Sequence, residues 1–392
     1  MELAYALVTP YTIRKSRTGA VLGRMLSHTT NKLVAMQMVS PTMAMAEAFA
    51  DSIRPGSNPD DEFCRAMIRE YIRINFRPDP ETGHRQRVLM LVFRGENAHA
   101  ELERITGHLR ISCHQGDTLR NSFGDLIVGR DGQVLYFEPA VILSDHQDDL
   151  RIWLDFLRTQ PTILENTCRH DEACGGVERT LVLIKPDSWR QRSSRPGAIL
   201  GLFSRTGLRI TGCRVNHMSV NQALAFYGPV RESLCQKLSP HIGKVARETL
   251  QREMSVPLPP ESEKDLAECV GVPFALEQFE RLIEFMCGRR PSLCPPQQLD
   301  EPGTASSLAL VYEGPGAVEK IREVLGPTDP TQAPDGTVRR EFGANVMVNT
   351  AHASDSVGSA VREMAVIGLH EPHLVPVVER YLNNNQEREK GR

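Results

Sequence analysis

The chain has 392 residues, of which 40% are hydrophobic and 24% are charged, with a formal net charge of -3. This composition is typical of globular proteins, and the chain is long enough for two domains. Its nearly balanced charge argues against a specific nucleic-acid or membrane partner. No apolar run approaches the roughly 18 residues that a membrane-spanning helix needs. The nine cysteines form an odd set with no regular framework, so we expect reduced thiols and a cytoplasmic location.

The first predicted element is an apolar strand that runs from Glu2 to Val8 and is followed by Pro10. An acidic residue stands where a secretory signal would carry basic ones, so we expect a strand rather than a signal peptide. The same pattern returns at Arg179–Pro186, which indicates an internal repeat. Other segments repeat in the same order, namely 19–23 with 197–201, 92–98 with 311–317 and 118–124 with 337–343.

Each copy is predicted to contain strand, helix, strand, two helices, strand, helix, loop, strand and helix. In the second copy we expect strands near 180–185, 208–214, 307–312 and 345–350, and helices near 196–205, 220–232, 274–286, 316–325 and 356–364. The predicted domains are a first copy at 1–147, a helix and linker at 148–176, a second copy at 177–380, and a polar tail at 381–392.

The linker begins with a helix that has one apolar side and is expected to pack on a domain. The residues of that helix are Asp149, Leu150, Ile152, Trp153 and Phe156. Farther on, Cys168 and Cys174 flank His170 with five residues between the cysteines, whereas a zinc site favours paired close spacings. Metal binding and incidental thiols both stay open there, and we expect no protein-built metal site elsewhere.

Near the end of the second copy, the stretch Asn349-Thr-Ala-His352-Ala-Ser354-Asp-Ser356 places an imidazole beside hydroxyls and a carboxylate. A neutral imidazole is a nucleophile as well as a proton carrier. The residues after Ser356 predict a helix whose first N–H groups favour an anion. The alternative interpretation is a structural histidine at a strand end.

Upstream segments contain groups that bind phosphate. Arg322 and Arg339 are suited to clamp phosphate oxygens together with the hydroxyl of Thr328, and Lys185 ends a predicted strand as a point charge. Pro and Gly residues around Thr328 predict an ordered loop. Each element is ordinary alone, and the combination in this order is specific.

These motifs resemble those of the nucleoside diphosphate kinases over about residues 177–372. The resemblance implies an α/β fold, an α+β sandwich of tandem ferredoxin-like domains, each with an antiparallel four-stranded sheet covered by helices. It also implies ping-pong transfer of the γ-phosphoryl group of a nucleoside triphosphate to a nucleoside diphosphate through a phosphohistidine. Magnesium is expected to arrive with the nucleotide.

The resemblance assigns roles by position. His352 is the expected nucleophile, Glu363 orients its ring, and Ser354 supplies a nearby hydroxyl. Glu363 lies seven residues after Ser356, which returns it to the same helix face, within reach of the histidine. The expected nucleotide-binding residues are Lys185, Tyr227, Phe279, Arg322, Thr328, Arg339 and Asn349.

Three departures from the family pattern affect these expectations. Ala353 replaces the glycine that usually follows the histidine, and Gln278 replaces the stacking phenylalanine. Stacking on the base is therefore expected to be weaker, or to come from Phe279 or from the insertion. An insertion at about 233–272 has helical spacing before Pro257 and is open to interpretation as a lid, a partner surface or a surface loop. The alternative function is a catalytically weak or inactive nucleotide-binding or interaction protein of the same fold.

The first copy is predicted to be catalytically inactive. The match of the first strands pairs Lys185 with Thr9. From Arg94 onward, a constant offset pairs Arg322 with Glu103, Asn349 with Arg130 and His352 with Gln133, and only Arg120 matches its counterpart, Arg339. Glutamine cannot accept the phosphoryl group. Family members commonly form dimers that build into hexamers, so the resemblance implies a homo-oligomer of three tandem chains.

Overall fold

The structure is a computed structural model that describes residues 1–109, 116–144, 148–159, 176–371 and 373–381. The first copy (residues 1–144) begins with an alternation of strands and helices. The elements are β1 (Glu2–Val8), α1 (Pro10–Arg14), α2 (Thr18–His28), β2 (Lys32–Val39), α3 (Met43–Ser52), α4 (Pro59–Asn75), β3 (Val88–Gly95), α5 (Ala98–Thr106), α6 (Leu119–Phe123), β4 (Asp125–Val128), β5 (Val134–Glu138) and β6 (Val141–Leu143). The linker helix α7 (Asp148–Thr159) follows.

The second copy (residues 176–371) repeats this order with a longer helical part. Its elements are β7 (Glu178–Ile184), α8 (Arg195–Phe203), β8 (Arg209–Asn216), α9 (Val220–Met254), α10 (Ser262–Leu266), α11 (Val272–Cys287), β9 (Ser307–Gly314), α12 (Ala317–Leu325), α13 (Val338–Phe342), β10 (Ala351–Ala353) and α14 (Val357–Val366). A π-helical turn, Ala267–Gly271, joins α10 to α11. A final helix, α15 (374–381), lies beyond the second copy.

The two copies have the same sheet topology. In the described residues, the strands form sheets in the orders β2-β3-β1-β6 and β10-β7-β9-β8, and β4 pairs with β5 in a separate hairpin. If the β4–β5 hairpin is left out and the four sheet strands of each copy are numbered in chain order, both sheets have the order fourth-first-third-second, the first sheet being counted from β6. The first strand of each copy runs antiparallel to both of its neighbours, and β2 runs antiparallel to β3. This is the predicted ferredoxin-like sheet, present twice.

The chain divides into two compact units. The first contains Met1–Val215, Leu308–Met364 and the described residues after Gly368, and the second contains Asn216–Ser307 with Ala365–Ile367. Both sheets therefore have their centres in the first unit, whereas helices α9 to α11 lie in the second. The predicted boundaries at 147, 176 and 380 remain a prediction.

Within the first unit, helices α2 and α8 join the two copies through glycines. A Cβ atom at Gly197 would lie 2.2 Å from the carbonyl oxygen of Gly19 and 2.3 Å from the nitrogen of Gly23, so the helix backbones are in direct contact. One buried apolar cluster continues from the first copy, for example Leu22 and Leu91, to the second, for example Ile199 and Leu310. The copies thus share a core.

A second buried cluster covers the other face of the first sheet. The linker helix α7 contributes Trp153, whose ring centroid lies 5.0 Å from that of Phe49, so the predicted packing of its apolar side is confirmed. Helix α15 contributes Leu374 and Val378 to the same cluster. The C-terminal helix therefore packs on the first copy, an arrangement that the sequence pattern did not predict.

Further contacts hold the last helix against the first copy. Nε2 of His373 lies 3.2 Å from the carbonyl oxygen of Met36, and the guanidinium of Arg94 lies 4.7 Å from the ring centroid of Tyr381. Burial lowers the pKa of His373 to about 3, so the imidazole is neutral near pH 7. Apolar burial, a neutral hydrogen bond and a cation–π contact therefore secure this helix.

Several sequence predictions need correction or concern residues outside the described ones. The last strand of the second copy is 351–353, not 345–350, because Oδ1 of Asn345 accepts hydrogen bonds from the backbone N–H groups of Met347 and Val348 and forms a turn. The helix expected at 220–232 continues to Met254, and much of the insertion at about 233–272 is helical, in α9, α10 and the π-helical turn. Residues 168–174 and the tail beyond 381 lie outside the described residues.

Helix α9 begins at a capping box in which Ser219 and Gln222 bond reciprocally. It contains Pro229 and Pro240 and ends before the predicted break at Pro257. In the part of the chain that the structure describes, no helix is both long and apolar enough to cross a membrane.

Candidate active site

The histidine of the second copy is held by a buried carboxylate. His352 lies in β10 opposite Leu183 of β7, and its Nε2 is 2.8 Å from Oε2 of Glu363 in α14. The hydroxyl of Ser354 donates to the same oxygen at 2.7 Å, and Arg362 donates to the other at 3.2 Å. The contact expected between Glu363 and the ring is therefore present.

This arrangement favours one tautomer of the imidazole. A carboxylate only accepts hydrogen bonds, so it is best matched by a protonated Nε2, which places the ring lone pair on Nδ1. Glu363 and Ser354 are buried, whereas His352 is half-buried. The histidine can therefore be reached from solvent while its orienting groups are enclosed.

A buried lysine lies at the end of the neighbouring strand. Lys185 follows β7, is 5% exposed, and donates from Nζ to Oδ1 of Asn349 at 2.7 Å. Burial, with the nearby positive charge of Arg339, lowers the pKa of Lys185 to about 7. The amide of Asn349 donates in turn to the carbonyl oxygens of Thr328 and Val346, at 3.0 and 2.8 Å.

Arg339 connects the loop after α12 to the histidine strand. Its Nη1 donates to the carbonyl oxygen of Gly326 at 2.9 Å, and its Nη2 donates to that of Ala351 at 3.1 Å. Arg322 and Thr328 are exposed. Hydrogen bonding from Ser359 holds the pKa of Asp355 below its ordinary value, and the positive charge of Arg322 adds to this effect.

The residue between Asn349 and the histidine strand is strained. Thr350 has a φ of 76° and is fully buried. A β-branched side chain rarely adopts this left-handed conformation, which costs on the order of 1–3 kcal/mol. Its carbonyl oxygen accepts from the backbone N–H of Lys185 at 2.8 Å. The strained turn therefore brings the amide of Asn349 and the ring of His352 to the end of β7.

Tyr227 and Phe279 belong to the second compact unit and are described within it. Both are buried, at 4% and 6% exposed, in α9 and α11 respectively. The Tyr227 ring lies 4.9 Å from that of Phe226. Phe279 offers little exposed ring surface for a nucleotide base, and its expected stacking role stays a prediction.

Comparison with known proteins places this site in a family. The family model described as "Nucleoside diphosphate kinase" matches residues 299–370, the segment that carries Arg322, Arg339 and the histidine motif. The nucleoside diphosphate kinase of Staphylothermus marinus is 31% identical over 191 residues, which cover 49% of this chain and 92% of that protein. The chain belongs to the nucleoside diphosphate kinase family.

Other nucleoside diphosphate kinases match a similar part of the chain. The protein of Chlamydia pneumoniae is 29% identical over 189 residues, which cover 48% of this chain and 89% of the relative. A crystal structure of the Aquifex aeolicus nucleoside diphosphate kinase shares 25% identity and covers 49% of this chain and 94% of that one, with a TM-score of 0.30. About half of this chain therefore corresponds to about nine tenths of the Staphylothermus and Chlamydia proteins.

The first copy, although built on the same sheet, lacks the family's histidine. Ile142 lies opposite Leu7 of β1, as His352 lies opposite Leu183 of β7. Ile142 is thus the counterpart of His352, and the expected counterpart Gln133 is wrong. The constant offset fails because β4 and β5 lengthen this segment of the first copy.

The same shift applies to the residue before the strained turn. The backbone N–H of Thr9 donates to the carbonyl oxygen of Ala140, as that of Lys185 donates to Thr350. Ala140 also has a positive φ, 59°. The counterpart of Asn349 is therefore Pro139, and the expected counterpart Arg130 is wrong.

A buried carboxylate occupies the first copy where the second has its lysine and asparagine. Oε1 of Glu138 accepts from the hydroxyl of Thr9 at 2.8 Å and from the N–H of Ala140 at 3.0 Å, and Oε2 accepts from the hydroxyl of Tyr71 at 2.6 Å. Burial raises the pKa of Glu138. An acid and two hydroxyls do not form a phosphate site.

Among the described residues, no three His, Cys, Asp or Glu side chains group closely enough to hold a metal ion. The expectation that Mg²⁺ arrives with the nucleotide, held by its phosphates, stays a prediction.

Proposed function

We propose that this protein is a nucleoside diphosphate kinase whose second copy transfers the γ-phosphoryl group of a nucleoside triphosphate to a nucleoside diphosphate. The observation that carries the proposal is the hydrogen-bonded set of His352, Glu363 and Ser354, with Lys185 and Asn349 on the neighbouring strand end. Family membership supports the same reaction class.

The proposed phosphoryl transfer takes place in two steps. Nδ1 of His352 attacks the γ-phosphorus, the bond to the bridging oxygen breaks, and the nucleoside diphosphate leaves with that oxygen. The terminal oxygen of a second nucleoside diphosphate then attacks the phosphohistidine and regenerates the imidazole. Glu363 accepts the Nε2 proton's hydrogen bond throughout and stabilises the positive charge on the ring.

The surrounding cations stabilise the phosphoryl oxygens. Arg322 and the hydroxyl of Thr328 are exposed and available to phosphates, and Arg339 is fixed by two backbone carbonyls. Lys185 is enclosed and has a depressed pKa, so an incoming phosphate would favour its charged form. The protein therefore supplies positioning and electrostatic stabilisation, which are the main needs of phosphoryl transfer.

The first copy has a structural rather than catalytic role in this proposal. Ile142 cannot accept a phosphoryl group, and Glu138 places a carboxyl at the position of the phosphate-binding groups. The two copies share a core, as subunits of a dimer would. The proposal therefore includes an assembly of three tandem chains. It also includes a cytoplasmic location, which the cysteine pattern predicts.

The direct test is labelling with γ-³²P-ATP and Mg²⁺, followed by chase with a nucleoside diphosphate. We expect acid-labile, base-stable label on the wild-type protein that transfers to the diphosphate. His352→Gln should lose the label and retain nucleotide binding, because the cationic groups remain. The matched control is His99→Gln in the first copy, which should label normally.

Two results would decide against the enzyme. Nucleotide binding without labelling would support the alternative of a nucleotide-binding or interaction protein. Label that persists in His352→Gln, or that is lost in His99→Gln, would show that the histidine has been assigned to the wrong place.

A further inference from the structure

Arg195, at the start of α8, connects three segments around the candidate active site. Its Nη2 lies 3.0 Å from Oδ2 of Asp187, 2.5 Å from the carbonyl oxygen of Phe342 and 3.1 Å from the hydroxyl oxygen of Thr350. Its guanidinium carbon is also 5.8 Å from the centroid of the Phe342 ring. Asp187 is nearly enclosed, with its side chain 4% exposed, so this ion pair lies largely out of solvent.

Each of these three segments carries a residue of the proposed site. Asp187 follows Lys185 by two positions, and Phe342 follows Arg339 by three. Thr350 lies between Asn349 and the strand of His352, in the strained left-handed conformation. One side chain therefore links the lysine, the arginine and the histidine segments.

The first copy provides an internal comparison. Arg17 precedes Gly19 by two residues, as Arg195 precedes Gly197, and its Nη1 donates to the carbonyl oxygen of Phe123 at 3.2 Å. Phe123 is the counterpart of Phe342. The repeat thus retains the arginine and its carbonyl partner in both copies.

The other two partners belong to the second copy alone. The counterpart of Asp187 is Tyr11, because Thr9 corresponds to Lys185, and the counterpart of Thr350 is Ala140. Neither side chain can replace the acceptor that Arg195 contacts in the second copy. Alanine has no polar group in place of the threonine hydroxyl, and tyrosine has no carboxylate in place of that of Asp187. The contacts of Arg195 with the side chains of Asp187 and Thr350 are therefore specific to the copy that contains the histidine.

We propose that Arg195 is a positioning residue for phosphoryl transfer, which holds the Lys185, Arg339 and His352 segments in register. This inference rests on the proposed function. Arg195 acts through the strained turn at Thr350: by bonding its hydroxyl, the guanidinium stabilises a conformation that a β-branched residue otherwise avoids. Releasing the turn would displace Asn349 and His352 relative to Lys185.

The expected effect follows from the sensitivity of phosphoryl transfer to geometry. A displacement of about 1 Å in a reacting group costs on the order of 100-fold in rate. We therefore expect Arg195→Met to slow labelling of His352 by about 10–100-fold at saturating Mg-ATP. Arg195→Lys retains a charge and three donors without the planar fork, so its rate should lie between those of Arg195→Met and the wild type.

The test compares single-turnover labelling rates and melting temperatures of wild type, Arg195→Met, Arg195→Lys and Arg17→Met. Arg17→Met removes an equivalent arginine and its carbonyl bond, and should label within about twofold of the wild type. A wild-type rate in Arg195→Met, or an equal loss in Arg17→Met, would overturn the inference. If Arg195→Met unfolds below the assay temperature, Arg195→Lys decides: a wild-type rate overturns the inference, and a several-fold loss supports it.

The proposed function and this inference fail separately. A wild-type protein that does not label refutes the function, whereas a labelling wild type with an equally fast Arg195→Met refutes only the role of Arg195. In the first case the affinity for Mg-ADP tests the role of Arg195: equal values for wild type and Arg195→Met overturn the inference, and at least about tenfold weaker binding by the variant supports positioning of the phosphate-binding groups.

Discussion

Replacement of Lys185 by methionine should stabilise the nucleotide-free protein at neutral pH. The pKa of Lys185 falls from 10.5 to about 7, chiefly through burial. At about 1.4 kcal/mol per pKa unit, charging this lysine in the folded protein costs about 5 kcal/mol. Methionine removes that cost but leaves Oδ1 of Asn349 without its donor, a loss of about 1–3 kcal/mol. The expected net gain below pH 7 is about 2–4 kcal/mol.

The gain should depend on pH in a defined direction. Between pH 7 and 10.5 the unfolded lysine is charged while the folded one is largely neutral, so the unfolded state binds more protons and wild-type stability rises with pH. The advantage of Lys185→Met should therefore be greatest below pH 7 and shrink steadily toward pH 10. Near that limit only the lost hydrogen bond remains, and the variant should be the less stable protein.

The assay is urea unfolding of wild type and Lys185→Met at intervals from pH 6 to 9.5, with the difference in unfolding free energy plotted against pH. Subtraction cancels the titration of other groups common to both proteins. The exposed Lys32→Met variant provides the control and should give a flat difference. A flat difference for Lys185→Met, or one that grows with pH, would refute the reasoning. Weakened Mg-ADP binding by the same variant would show that the stability cost serves phosphate recognition.

Two further predictions concern the joining of the copies and their assembly. Gly197→Ala should lower the unfolding free energy by about 2–3 kcal/mol in chemical denaturation, because its Cβ would meet helix backbone atoms at 2.2–2.3 Å. Gly201→Ala, whose Cβ meets nothing within 4 Å, should be neutral or stabilising by up to about 1 kcal/mol, and equal losses in both variants would contradict the packing argument. Light scattering should give a particle of about three times the chain mass of 43.8 kDa, and a single-chain mass would rule out the trimer.

Sequence reasoning succeeded where local pattern and chemistry agree. The repeat predicted two copies of one sheet, and the helix period placed Glu363 within reach of His352, as the structure has it. The apolar side of the linker helix was visible in its spacing, because one helical period specifies one buried face.

The misses arise where a side chain or an inserted segment overrides the local pattern. The apolar run after Asn345 looks like a strand, but the asparagine side chain bonds the backbone ahead of it and makes a turn. A constant offset between the copies could not account for the β4–β5 hairpin, because it assumes that the copies have equal lengths after the match at 118–124 and 337–343. Only strand register places Ile142 at the position of the nucleophile.

Arg195 was missed although a signal existed. The repeat places Arg17 and Arg195 at the same distance from their helix glycines, which would have singled them out. Its partner Thr350 is distant in sequence, and Asp187 is a residue type that is common on protein surfaces. No short motif therefore connects Arg195 to these two residues. The packing of α15 on the first copy gave even less warning, because the apolar positions of a helix of eight residues do not indicate which surface that helix covers.

The placement of α15 has a consequence for synthesis of the chain. Leu374 and Val378 complete a core whose other members have all been translated by Leu157. At about 5–20 residues per second, translation of the intervening chain takes on the order of 10–50 s. During that interval the nascent first copy exposes the apolar surface that α15 later covers. A premature stop just before residue 374 would spare every residue of the proposed active site and still damage the opposite end of the polypeptide.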